Sequence, residues 1–193
     1  MKLLKNFILA LALISIIALV GIYFLPNHYS VSNSIEINKP VEVVYVQVAD
    51  FNKWNAWSPW YEQEKEAAIT VENTPAATGH KMNWIGKKLG EGSMTIASAT
   101  SNAGFETNDD FIKPFKATAK DRFTFEATAT GTKVTWTTEG GLAYPMGRLF
   151  GLAVDKMVGS TEKHGLDNLK KICEAFPAPQ TTAIDSATAT TNN

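Results

Sequence analysis

The chain has 193 residues, 45% of them hydrophobic and 19% charged, with 18 basic against 19 acidic side chains and a formal net charge of −1. That length suits one domain with short appendages, and the near-neutral balance without a basic stripe argues against nucleic acid as a partner. A single cysteine, Cys173, excludes an intrachain disulfide framework. Three scattered histidines make no metal-ligand spacing, and phosphate-cradling glycine loops and a nucleophile elbow are missing. The expectation is therefore no metal and no cofactor.

Residues 7–25 form an uncharged apolar run interrupted only by Ser15 and Gly21. At ~1.5 Å per residue it reaches roughly 28 Å, close to the ~30 Å hydrocarbon core of a bilayer. Lys2 and Lys5 precede it and the next lysine is Lys39, so the charge rule places the N-terminus in the cytoplasm and the rest outside. Tyr23, Phe24 and Tyr29 suit the outer interface, and Pro26 ends the helix. The run predicts a single-pass anchor, residues 1–27, in a bacterial inner membrane. A cleaved signal peptide is the alternative, although the run exceeds the usual apolar length and offers no good cleavage site.

Residues 28–176 read as the folded domain. Val31, Ile35 and Ile37 alternate with polar residues, as in a half-buried strand. Asn38, Lys39 and Pro40 resemble a helix start, with a capping side chain and an early proline. The valine-rich stretch 41–50 favours a strand on propensity, yet Val41, Val44 and Val48 make a helical stripe. The start signal tips the reading to helix. Trp54, Trp57 and Trp60 follow, with Pro59 as a breaker. They anchor this section on a sheet, close the mouth of a cavity or rest against lipid.

Alternating segments then occupy 67–72, 80–86, 90–99, 104–112, 118–127 and 132–139, each with its large apolar residues on one parity. One sheet face is therefore buried and the other faces water. From 146 to 176 the period becomes helical, with Phe150, Ala153, Met157, Thr161, Leu169, Ile172 and Phe176 near one stripe. Gly147, Gly151, Gly159 and Gly165 thin that helix for close packing. Residues 177–193, rich in threonine and alanine, read as a disordered tail; Asp185-Ser186-Ala187 within it resembles a short bacterial O-glycosylation signal.

The order of strand, two short helices, six strands and a long helix resembles the helix-grip fold of the START-like (SRPBCC) superfamily. Its polyketide-cyclase/dehydrase-like group, with membrane-anchored bacterial members, is the nearest branch. The resemblance is carried by residues 34–60, by GSMTI at 92–96, DFIKPF at 110–115 and GTKVTWTTEG at 131–140, and by YPMGRLFG at 144–151 and GLDNLKK at 165–171. It implies an α+β fold in which a curved seven-stranded antiparallel sheet wraps the C-terminal helix around a cavity. It does not specify an activity.

The inward parity nominates Met82, Trp84, Met94, Phe111, Phe123, Phe125, Trp136 and Met157 as cavity-lining residues, each with plain core packing as the alternative. His80 and Asp109 are polar residues on the same parity and become weak candidates for acid, base or ligand anchor. Turns near residues 87–88 and 102–103 set both opposite Ile96, which places them about 10 Å apart on one face. Burial there is expected to raise the Asp109 pKa. His164 reads as a surface residue and Cys173 as a small buried group. Three functions remain open: membrane-tethered binding or carriage of an apolar small molecule or lipid, a cyclase/dehydratase-like enzyme, and an interaction module for another envelope protein.

Overall fold

Alternating apolar residues form strands and a 3.6-residue period forms helices, and the computed structural model, which describes residues 1–176, follows both. The first helix, α1 (Lys2–Tyr23), contains no buried residue and is long and apolar enough to cross a membrane. Residues 177–193, including Asp185-Ser186-Ala187, lie outside the described residues. The domain continues through β1 (His28–Ile37), α2 (Val41–Ala49), a 3-10 segment (Phe51–Ala56) and α3 (Pro59–Gln63). Six further strands follow: β2 (Ala68–Glu72), β3 (Lys81–Ile85), β4 (Glu91–Thr100), β5 (Gly104–Lys113), β6 (Ala117–Ala127) and β7 (Thr132–Gly141), and then α4 (Met146–Ala175). The strands make one curved antiparallel sheet, ordered β1-β7-β6-β5-β4-β3-β2, with α4 against its concave face. This is the helix-grip arrangement. β2 to β7 are joined in sequence, while β1 lies beside β7.

The valine-rich stretch is helical because α2 has a side to bury: Val44, Tyr45, Val48 and Ala49 are inside. Its start differs from expectation. Pro40 itself is the N-cap, in extended conformation, and no side chain caps the helix. Asn38 instead donates its backbone N–H to the Glu174 carboxylate at 2.9 Å, tying the end of β1 to the end of α4. Trp54 and Trp57 anchor the section: both are buried, and their indole N–H groups donate to the Val48 and Gln47 carbonyls at 2.7 and 3.1 Å. With Phe51, Phe105, Phe123, Phe125 and Trp136 they form a continuous aromatic core.

α4 is rotated relative to the expected stripe. Its buried residues are Val154, Glu162, Gly165, Leu166, Leu169 and Cys173. Phe150 and Met157 are about half exposed, at 48% and 52%. The buried line runs through a carboxylate, Glu162, so apolar residues alone mislead about its phase. Gly165 has a packing reason, because a Cβ there would stand 3.0 Å from Pro59 and 3.2 Å from Trp136.

The strand register is right on one side of β4 and shifted on the other. His80 does face Ile96, whose N–H donates to the His80 carbonyl at 2.9 Å. Asp109, however, pairs with Met94, and Ile96 pairs with Thr107. The β4–β5 turn places Asn102 at φ 60°, and an irregularity between Ile96 and Ser98 inserts an extra residue. Together these move Asp109 two positions along the sheet without changing its face.

Candidate ligand-binding cavity

Two rows of inward side chains cross the sheet and explain where space remains. One runs Tyr29, Gly140, Ala119, Asp109, Met94, Met82 from β1 to β3, each opposite the next. Gly140 and Ala119 leave the middle of that row low. The Tyr29 ring lies over Gly140, where a Cβ would come within 2.5 Å of it. In the second row Gly92 separates Trp84 from Phe111, and the Trp84 indole covers it in the same way. Under these rows lies a cavity of about 250 Å³, roofed by Val158 and Glu162 of α4 and by Trp54, Ser58, Trp60 and Tyr61. A separate open groove is bordered by outward residues of the same strands, among them Ser30, Asp110, Lys120 and Glu139.

Of the residues nominated from sequence, Met82, Trp84, Met94, Phe111, Trp136 and Asp109 line this cavity. Phe123 and Phe125 do not. They are buried inside the aromatic core, where α2 and the 3-10 segment cover that end of the sheet. Met157 is also displaced, because the rotation of α4 turns it outward. His80 is fully buried away from the cavity. It stacks on Phe51 at 4.7 Å, its Nε2 accepts the Phe51 N–H at 3.0 Å, and its Nδ1 donates to the Glu72 carbonyl at 3.0 Å. Both ring nitrogens are thus committed to the backbone, so His80 holds a chain crossing in place and is not paired with Asp109 across a ligand. His164 is exposed and bonded to Glu62 at 2.7 Å. Cys173 is buried, and desolvation pushes its thiol up to about 12.

Three site residues escaped the sequence reading: Asp121, Glu162 and Tyr29. Asp121 shares the parity of Phe123 and Phe125, which was signal enough. Tyr29, expected at the membrane interface, shares the parity of Val31. Glu162 gave no periodic signal of its own. With Asp109 they form a nearly closed acidic end. Asp109 and Asp121 are diagonal neighbours on β5 and β6 and lie within hydrogen-bonding reach of each other. Thr107 donates its hydroxyl to Asp109 at 2.8 Å, and Thr138 donates to Asp121. Glu162 accepts from Asn33 at 2.8 Å through one oxygen; its other oxygen has no partner.

Burial dominates the electrostatics. It raises Asp109 to about 9, helped by the adjacent Asp121 charge, and raises Asp121 to about 6. Both shifts are upward, so burial pushes the pair toward sharing a proton. Burial likewise lifts Glu162 to about 7 and raises the Tyr29 phenol, with the three carboxylates adding to the latter. No group of side chains among the described residues is placed to hold a metal ion.

At the opposite end the mouth is apolar, formed by Trp60, Trp84, Leu89 and Phe111 with Lys88 beside them. The β3–β4 turn carrying Lys88 and Leu89 is clasped by Glu64, whose carboxylate accepts the backbone N–H groups of Lys87, Lys88 and Leu89 at 2.7, 2.8 and 3.0 Å. Those bonds hold the Glu64 carboxyl below its ordinary value.

The family model for polyketide cyclase/dehydrase and lipid transport proteins matches residues 28–174. The chain belongs to that family. No curated protein matches it. Solved structures share the family's fold at low identity. CV1439 from Chromobacterium violaceum is 16% identical, with 76% of this chain and 98% of that one covered and a TM-score of 0.57. MLL2253 from Mesorhizobium loti is 15% identical over 74% and 98%, with a TM-score of 0.54. The di-domain aromatase/cyclase StfQ of the steffimycin biosynthetic pathway is 11% identical over 77% and 51%, with a TM-score of 0.58. At these identities the likeness speaks for the fold.

Proposed function

We propose that the protein binds or carries an apolar small molecule or lipid chain in the helix-grip cavity, while α1 tethers it to the outer face of a bacterial inner membrane. The observation that carries this reading is the cavity itself, with Met82, Trp84, Met94, Phe111 and Trp136 on its walls and an apolar mouth. A ligand that partitions into a bilayer reaches such a mouth most readily from a domain held nearby. The tether is supported by its junction with the domain. Arg148 lies over the rings of Tyr23 and Tyr144 at 5.2 and 5.7 Å and donates to the Tyr23 carbonyl, and Tyr144 donates to the Leu19 carbonyl at 3.1 Å. Beside that junction α4 exposes Met146, Phe150 and Leu152, apolar side chains suited to a lipid surface. Mass spectrometry of an organic extract of the purified protein is expected to show one enriched apolar compound. Extracts identical to those of an empty membrane preparation would count against the reading. A reporter that is active only outside the cytoplasm, fused after Phe176, is expected to be active.

One observation favours a second reading, an enzyme of the cyclase/dehydratase type: Asp109 and Asp121 are buried side by side at the cavity, where desolvation favours a shared proton. A buried neutral carboxyl is a general acid in waiting. The enzyme reading requires that the extracted compound be chemically altered on incubation with the protein and unaltered with Asp109→Asn.

A further inference from the structure

The closed end of the cavity holds more unmet hydrogen-bonding capacity than an apolar guest satisfies. Two almost fully buried side chains that line it have an oxygen without a partner: Ser58 Oγ and Glu162 Oε1. They come from the segment before α3 and from α4. Pro59, next to Ser58, and the Trp136 ring both pack on Gly165, one turn beyond Glu162. Buried polar groups are ordinarily paired, so a site lined by unpaired ones is built for a polar guest.

The charge balance narrows what that guest is. The ionisable groups facing Glu162 are Tyr29 from β1, Asp109 from β5 and Asp121 from β6. All are acids. Among the described residues lining the cavity the only cation is Lys88, at the mouth, remote from the carboxylates. Buried carboxylates ordinarily have a cationic partner, and among the described residues none is supplied.

We infer that this end of the cavity receives a protonated amine, carried on an apolar body that lies along Trp84, Met82 and Met94. The inference rests on the cavity-binding reading given above and adds the chemistry of the ligand's head. An ammonium presents three donors and no acceptor. Glu162 Oε1 and Ser58 Oγ accept two of them, and the ionised carboxylate of the Asp109–Asp121 pair supplies a third acceptor. At ~30 Å³ per water-sized group, about 250 Å³ admits roughly eight or nine non-hydrogen atoms, the size of a medium-chain amine.

The test is calorimetric titration of the full chain in zwitterionic lipid nanodiscs with n-octylamine, 1-octanol and octanoate, with empty nanodiscs as blank. At pH 8 octylamine is expected to bind at least about tenfold tighter than octanol, a margin within the worth of one or two charge-assisted hydrogen bonds. Octanoate is expected to bind weakest. The amine stays charged from pH 5 to 8 while Glu162 and the aspartate pair lose protons, so its advantage over octanol is expected to grow with pH. Glu162→Gln should remove most of that advantage, read as the ratio of octylamine to octanol affinity within the variant, and a thermal melt of the variant reports whether the domain is intact. Should that variant fail to fold, the pH profile of the wild type decides alone. Octanol binding as tightly as octylamine, or an amine advantage that is flat with pH, overturns the assignment and leaves the cavity reading standing. Failure of all three to bind removes the cavity reading and the assignment with it.

Discussion

The concave face of one sheet is solid at one end and hollow at the other, although both ends obey the same alternation of inward residues. At the solid end, β5, β6 and β7 contribute Phe105, Phe123, Phe125 and Trp136, and α2 with the 3-10 segment lays Tyr45, Phe51, Trp54 and Trp57 on them. At the hollow end the same strands contribute Asp109, Ala119, Asp121 and Thr138, and the covering residues are Val158 and Glu162. Small residues keep the floor low, and carboxylates resist filling by apolar side chains. The contrast teaches that parity selects a face, whereas the size and charge of individual side chains decide whether that face is core or site.

The largest effect that sharpens the contrast is at the solid end. Trp54→Ala should cost about 3–5 kcal/mol of stability, read as a shift in denaturant midpoint at unchanged slope. A smaller loss would mean that the aromatic end is less tightly packed than its contacts require. His80→Ala leaves the buried Phe51 N–H without its acceptor and is expected to cost about 1–3 kcal/mol. Uptake of an apolar fluorescent probe should not change in that variant; a weakened probe would restore His80 to the site.

At the hollow end the signs reverse. Ala119→Leu should abolish probe uptake while changing stability by less than about 1.5 kcal/mol, because the new methyl groups enter existing space. Retained uptake would put the ligand elsewhere.

A pH series separates the two ends as well. Asp109 holds its proton up to about 9 in the folded chain and only to about 3.8 when unfolded. The folded state therefore binds more protons between those values, and stability falls as pH rises through that window. Glu162 adds to the fall between 4.5 and about 7. Melting temperatures from pH 5 to pH 9 should decline more steeply for the wild type than for Asp109→Asn. Parallel curves would show that Asp109 does not titrate abnormally.

The smallest effect concerns the mouth. Glu64→Gln weakens the clasp on the β3–β4 turn. It is expected to quicken probe exchange with little change in equilibrium affinity. Unchanged exchange rates would show that the turn does not limit access.

Much of this molecule was legible without coordinates because it depends on local periodicity. Two-residue alternation marks every strand from β1 to β7, whereas the stripe Val41, Val44 and Val48 leaves α2 open between strand and helix until the start signal at 38–40 tips it to helix. The apolar run that became α1 needed only length. The order of elements read from these periods, with the motifs between residues 34 and 171, carried the resemblance to the helix-grip fold.

What the tertiary structure alone decided is the lining of the cavity. Asp109 kept its face but moved two positions, because a bulge and a turn set register and neither has a periodic signature. His80 passed the parity test and proved to be a backbone brace, since its partners, Phe51 and Glu72, are distant in sequence from each other. Glu162 stayed hidden because a charged residue on a buried stripe is what hydrophobic phase excludes. Sequence determines which side chains point inward, since that follows from the dihedral repeat of each element. Whether an inward side chain meets a neighbour or a space depends on what the other elements bring to it, and only the assembled fold fixes that.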